Sequence, residues 1–269
     1  MSNQKQNLPI GIFDSGIGGL TVVRAIKELL PNESIIYFGD TGRVPYGNKS
    51  KSTITEYSLQ ISRFLEEKGV KMIVIACNTA TAHAMDEVVR YTKLPVVGVI
   101  EPGARAALKK TKSKKIGVIG TQGTINSKAY DSAIRLLDPK AEVFGQACPL
   151  FVPLAEEGWF DHPATRLIIR EYLKPLEIKH IDTLVMGCTH YPLLRSAIER
   201  ELFDSIAIVD SAEEIAMEVK KVLNENKSLT TLKAKPVYHY VVSDLNFRFK
   251  ELGQSFLGEP FKNVELHEW

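Results

Sequence analysis

Short apolar runs alternate with amphipathic stretches along almost the whole chain, and this rhythm restricts the fold more than any other feature. An apolar run bounded by turn signals reads as a strand buried on both faces. Apolar residues at three- and four-residue spacing read as one face of a helix. Strands are expected at 9–13, 34–38, 71–76, 96–100, 115–119, 141–145, 183–187, 206–209, 237–242 and 263–267. Helices are expected at 20–30, 52–68, 79–91, 103–110, 127–137, 164–173, 193–202 and 245–256, with a polar surface connection at 227–235. Strand–helix alternation of this kind implies α/β architecture: mostly parallel sheets flanked by helices.

The two halves share a plan. Ile10-Gly11-Ile12-Phe13-Asp14-Ser15 can be laid on Ile116-Gly117-Val118-Ile119-Gly120-Thr121, and each hydroxyl loop is followed at similar separation by a cysteine loop. In open α/β sheets ligands sit beyond the carboxyl ends of the strands, where all four loops fall. Two similar α/β domains facing each other would gather these loops around one cleft.

Cys77 and Cys188 stand in matching contexts, Met72-Ile73-Val74-Ile75-Ala76-Cys77-Asn78-Thr79 and Thr183-Leu184-Val185-Met186-Gly187-Cys188-Thr189-His190. A thiol between a buried strand and a helix start meets free N–H groups and a positive dipole end, which favour thiolate. Two such thiols suggest opposed acid/base groups around one substrate; a buried core cysteine is the bland alternative, and Cys148, without a helix-opening turn, takes it. His190 either orients or protonates a substrate or helps deprotonate the thiol, or it caps the helix or faces solvent. Asp14 and Ser15 precede Gly16-Ile17-Gly18-Gly19, a loop able to hold a carboxylate through N–H groups, with an Asp N-cap as the plain reading. Pro45-Tyr46-Gly47 lies in a loop too long for a simple connector, and Glu156 follows an apolar stretch; either could be scaffold. His83, on a predicted helix, reads as an ordinary packed or surface histidine.

The totals exclude several classes. With 34 basic and 32 acidic residues the net charge is +2, which supports neither nucleic acid nor membrane-surface binding. No apolar run spans a membrane, and the polar first eight residues do not read as a signal peptide, so a cytoplasmic protein is expected. Three cysteines argue for reduced thiols rather than a disulfide framework. Neither a dinucleotide fingerprint nor a P-loop lysine is present. Metal spacing such as C-x-x-C or H-E-x-x-H is missing too, so no cofactor and no metal are expected.

Four segments together resemble the glutamate racemase family. They are Phe13-Asp14-Ser15-Gly16-Ile17-Gly18-Gly19-Leu20-Thr21-Val22, Asp40-Thr41-Gly42-Arg43-Val44-Pro45-Tyr46-Gly47, Ala76-Cys77-Asn78-Thr79-Ala80 and Gly187-Cys188-Thr189-His190-Tyr191-Pro192. The resemblance implies cofactor-independent interconversion of L- and D-glutamate for peptidoglycan synthesis, by a homodimer. It implies that Cys77 and Cys188 are the acid/base pair, assisted by Asp14, His190 and Glu156. Substrate contacts are implied for Asp14, Ser15, Pro45, Tyr46, Gly47, Asn78, Thr79, Thr121, Thr189 and His190. The implied fold has the active site between two α/β domains, residues 1–99 with 210–269 and residues 100–209. Two other readings stay open: a related two-thiol racemase for aspartate or another small acid, and a non-catalytic two-lobed solute-binding protein.

Overall fold

The computed structural model describes residues 5–202, 206–232, 234–245, 249–260 and 264–269. The polar residues 1–4, the start of the last predicted helix at 246–248 and the first residue of the last predicted strand, Asn263, lie outside the described residues.

Two parallel sheets organise the chain. The first holds β1 (Ile10–Asp14), β2 (Ile35–Gly39), β3 (Met72–Ile75), β4 (Val96–Gly98), β9 (Tyr238–Val242) and β10 (Val264–Leu266), in the order β10-β9-β2-β1-β3-β4. The second holds β5 (Lys115–Gly120), β6 (Glu142–Ala147), β7 (Thr183–Gly187) and β8 (Ala207–Asp210), in the order β6-β5-β7-β8. Every pairing is parallel. The segment β2-β1-β3-β4 and the whole second sheet have one topology, so the repeat inferred from the two halves is a repeat of fold. In each, the first strand is flanked by its successor on one side and the next strand on the other, which makes a switch point.

The burial pattern explains why the strands read as continuous apolar runs. β1, β2, β3 and β7 are buried at every position. Side chains alternate between two packed layers, as strand geometry requires. Ile10, Ile12, Met72 and Val74 join the cluster that also takes Ile116, Val118 and Val185 from the second sheet. Phe13, Ile73 and Ile75 face the opposite layer with Ile54, Ile61 and Leu65 of α2 (Lys51–Glu67). Ile119, Leu184 and Met186 face a third layer with Ile169 and Leu173 of α8 (Pro163–Glu177). The cluster shared by both sheets is closed by α1 (Leu20–Leu29), α4 (Ile100–Lys110) and α10 (Ser211–Glu225).

Three differences from the predicted elements have local causes. The helix expected at 127–137 starts at Ala129, as α6 (Ala129–Leu137), and a separate unpredicted helix α5 (Gln122–Asn126) precedes it, because Lys128 turns left-handed at φ 55° between them. A single-turn 3-10 element, Tyr191–Leu194 with Pro192 in its first turn, precedes α9 (Arg195–Glu201), so that helix starts later than expected. Helix α10 was not predicted, although Asp210 caps its first turn and Ala212, Ile215, Ala216, Val219 and Leu223 make one buried face. The helices not yet named among the described residues include α3 (Asn78–Tyr91), α7 (Phe151–Glu156) and α11 (Phe249–Leu257). No helix among the described residues is long and apolar enough to cross a membrane.

Candidate active site

The carboxyl ends of the strands at both switch points turn toward each other. β1 delivers Asp14 and Ser15, β3 delivers Cys77, β5 delivers Thr121 and β7 delivers Cys188. The loops touch. Thr189 donates to Asp14 Oδ1 at 3.4 Å, and Thr21 donates to the carbonyl oxygens of both Gly18 (2.9 Å) and Thr189 (3.2 Å). Gly18 permits this approach: a Cβ there would lie 2.4 Å from Thr189 Oγ1 and 2.5 Å from His190 Nδ1.

On the first wall, Cys77 is the N-cap of α3 and its sulfur accepts the Ala80 N–H at 3.4 Å. Its S–H donates to Ser15 Oγ at 3.5 Å. Burial, followed by the nearby Asp14 charge, pushes the Cys77 thiol up to about 12, against the pull of Ser15 and the Ala80 N–H. The helix-start advantage expected from sequence is therefore outweighed by desolvation in the unliganded protein. Asp14 accepts the Gly16 N–H at 3.0 Å. Burial raises its carboxyl, opposed by the His190 charge and by hydrogen bonds from Gly16, Gly19 and Thr189. Tyr37, which the sequence did not mark, donates to the Gly16 carbonyl at 2.7 Å and holds this loop from below.

On the second wall, Cys188 Sγ lies 3.9 Å from His190 Nδ1, and His190 Nε2 lies 3.0 Å from Glu156 Oε1. Burial pulls the imidazole down. Its hydrogen bonds to Cys188 and Glu156, with their charges, outweigh burial and carry it up to about 10. His190 therefore sets a cationic donor beside the second sulfur at neutral pH. It packs against Phe256 with ring centroids 5.1 Å apart and is 3% exposed, so it does not face solvent, and although it stands at the N-cap of the Tyr191–Leu194 turn its side chain makes no capping bond.

A rim of hydroxyls joins the walls. Thr79 Oγ1 lies 2.9 Å from Thr121 Oγ1 and 3.1 Å from Thr124 Oγ1, and Thr121 and Thr124 are also 3.1 Å apart. The Gly47 backbone abuts Thr121, with a Cβ at 47 falling 2.9 Å from Thr121 Cβ. Tyr46 follows Pro45 in a short 3-10 turn, and its phenol is buried and bonded to Asp40 rather than turned to the rim. Its backbone, beside Gly47, is what this loop presents to the other wall. Asn78, 3% exposed, accepts the Tyr130 hydroxyl at 2.8 Å on Oδ1.

Asp14, Ser15, Cys77, Asn78, Thr79, Thr121, Cys188, Thr189, His190 and Glu156 are thus joined by these contacts or by adjacency in the chain, while the Tyr46 side chain turns away to Asp40. Tyr37, Thr124 and Tyr130 were missed because nothing in their local sequence marks them; each matters through a contact made by folding. Cys148 is fully buried and its thiol donates to the Gln146 carbonyl at 3.6 Å. His83 is 3.2 Å from the Gly123 carbonyl of the other wall and helps line a separate cavity of about 370 Å³ with Arg105 and Glu218. No group of three or more His, Cys, Asp or Glu side chains among the described residues is placed to hold a metal ion.

One thiol at each switch point, each with a buried ionisable neighbour, can serve the two faces of a single carbon. The Asp/Glu/Hydantoin racemase family matches residues 10–219. The glutamate racemase of Chlorobaculum tepidum is 54% identical over 96% of this chain and 95% of its own, and that of Syntrophus aciditrophicus is 49% identical over 98% and 97%. The structure of Francisella tularensis glutamate racemase in complex with D-glutamate superposes with a TM-score of 0.92 at 40% identity, covering 97% of this chain and 98% of that one. The chain belongs to the Asp/Glu/Hydantoin racemase family.

Proposed function

We propose that this chain interconverts L- and D-glutamate by direct proton transfer at Cα, with Cys77 and Cys188 as the opposed acid/base pair. The observation that carries the reading is the apposition of the Cys188 loop to the Asp14-Ser15 loop through the Thr189–Asp14 bond at 3.4 Å, with Cys77 bonded to Ser15 in that same loop at 3.5 Å. One thiolate takes the Cα proton and the opposite thiol returns one, so each inversion exchanges their protonation. On the family resemblance, we assign Cys188 to take the proton from L-glutamate and Cys77 to take it from D-glutamate. Asp14 assists at Cys77, and His190 with Glu156 assists at Cys188.

A positioned acid or base contributes about 10²–10⁴-fold. The carbanionic transition state needs fixed donors as well, since charge grows on the α-carboxylate as the proton leaves. Ser15, the backbone N–H groups of Tyr46 and Gly47, Asn78, Thr79, Thr121 and Thr189 supply them. The named relatives favour glutamate over aspartate as substrate, and the paired catalytic thiols count against a mere solute-binding role. We assign the domains as 1–99 with 210–269 and 100–209, and the product D-glutamate to peptidoglycan synthesis in the cytoplasm by a homodimer. The test is incubation with L-glutamate in deuterated water. Deuterium at Cα with loss of optical rotation supports the reading. No exchange refutes it, and exchange with aspartate alone refutes the substrate.

A further inference from the structure

We propose that Tyr130 is a positioning residue for the substrate carboxylate: its hydroxyl fixes the Asn78 amide so that the N–H end, not the carbonyl, meets the ligand. The inference rests on the glutamate reading above.

Tyr130 stands on α6 of the second sheet's unit, is 3% exposed, and reaches across to donate to Asn78 Oδ1 at 2.8 Å. Asn78 directly follows Cys77 at the start of α3. Among the described residues, its Nδ2 is buried and has no hydrogen-bond partner. The two ends of an amide have nearly the same shape, and a flip exchanges donor for acceptor. The Tyr130 oxygen could accept from a flipped amide, but its proton has no acceptor among the described residues other than Asn78 Oδ1, so a flip would strand that proton. A buried donor without a partner is costly, and an acceptor on a ligand recovers that cost. A carboxylate is the acceptor a glutamate substrate carries, and its bond to an N–H is charge-assisted. Next to Cys77, the carboxylate in question is the α-carboxylate, which gains charge as the Cα proton leaves.

The ring of Tyr130 is threaded between two glycines. A Cβ at Gly103 would lie 3.2 Å from its Cε1, and one at Gly187 would lie 3.1 Å from its Cε2. Gly187 immediately precedes Cys188. Tyr130 is thus seated against the strand that carries one thiol and bonded to the residue beside the other. It aligns the donor with both faces of the reaction at once, so its loss affects both directions alike.

The test is steady-state kinetics of the full chain in both directions. Tyr130→Phe keeps the ring between the glycines and removes only the hydroxyl. It is expected to lower kcat/KM about fivefold to tenfold in each direction, chiefly through kcat. In an Asn78→Ala background the same change is expected to cost nothing further. Asn78→Asp keeps an acceptor for Tyr130 but replaces the N–H pair with oxygen, and is expected to lose at least about a hundredfold. Wild-type kcat and KM in Tyr130→Phe overturn the proposal, as does an equal penalty with and without Asn78, which would assign the effect to packing. Should Tyr130→Phe fail to fold, Asn78→Asp decides, and wild-type activity there overturns it. A wild type that leaves glutamate untouched defeats the reaction itself; a racemising wild type with an indifferent Tyr130→Phe defeats this inference alone.

Discussion

Gly18→Ala tests whether the spacing of the two loops sets the rate. The added methyl would lie 2.4 Å from Thr189 Oγ1, 2.5 Å from His190 Nδ1 and 2.6 Å from His190 Cε1. Ordinary contact begins at 3.4 Å, so the loops must part by roughly 1 Å. These atoms cannot swing away freely, because Thr189 is bonded to Asp14 and His190 to Glu156. A misplacement of about 1 Å can cost on the order of 10²-fold in rate. Overpacking costs about 1–3 kcal/mol of stability, leaving the protein folded. The expected result is a fall of about a hundredfold in kcat for racemisation, followed by circular dichroism, with a small drop in Tm. Gly16→Ala in the same loop is the control, because its methyl meets only the Val44 side chain, with Cγ2 nearest at 3.3 Å. Near-normal kcat in Gly18→Ala would refute the reasoning. Equal damage from Gly16→Ala would also refute it, by assigning the effect to loop stiffness.

Glu156→Gln removes a charge that helps hold the His190 imidazole up at about 10. The wild type should lose activity as pH rises toward that value, and the variant should lose it at lower pH; an unmoved basic limb in the pH–rate profile would dissociate Glu156 from the site. The sign for stability is the same: a raised histidine contributes fully below its ordinary 6.5 and is lost as pH rises through about 10, so the Tm of the wild type should fall over that window. Lys71→Ala leaves Glu33 buried without its cation, both side chains being 2% exposed, and should cost about 3–5 kcal/mol in urea unfolding. Lys71 precedes β3 at the end opposite Cys77, roughly 20 Å away along the strand, so kcat per folded molecule should stay unchanged.

The alternation of strands and helices was legible because burial on both faces forces continuous apolar runs, and Met72–Ile75 and Thr183–Gly187 are such runs. The positions of Cys77 and Cys188 followed from the same pattern, since a residue just past a parallel strand falls at the ligand edge of the sheet. The chemistry at each thiol was less legible. A helix start argues for thiolate at Cys77, yet complete burial beside Asp14 reverses the direction, and burial is a property of the assembled fold. The sequence did not say which part of Tyr46 faces the cleft, and folding gives its phenol to the buried Asp40. Tyr130 lies 52 residues from Asn78 in the chain, and no local periodicity announces their bond. Helix α10 was the opposite case: its cap and its apolar face were both present in the sequence, and the rhythm of strands drew attention away from them.

The most direct test of the two-thiol account is the racemisation of L- and D-glutamate by Cys77→Ala and Cys188→Ala, measured beside Cys148→Ala in deuterated water. Each inversion needs a base on one face of Cα and an acid on the other. Both catalytic variants should therefore lose racemisation in both directions, by at least the 10²–10⁴-fold ascribed to one positioned group, while Cys148→Ala stays active. Any deuterium that Cys188→Ala introduces should enter D-glutamate with retention, and any from Cys77→Ala should enter L-glutamate. Near-normal racemisation by either catalytic variant would contradict the account.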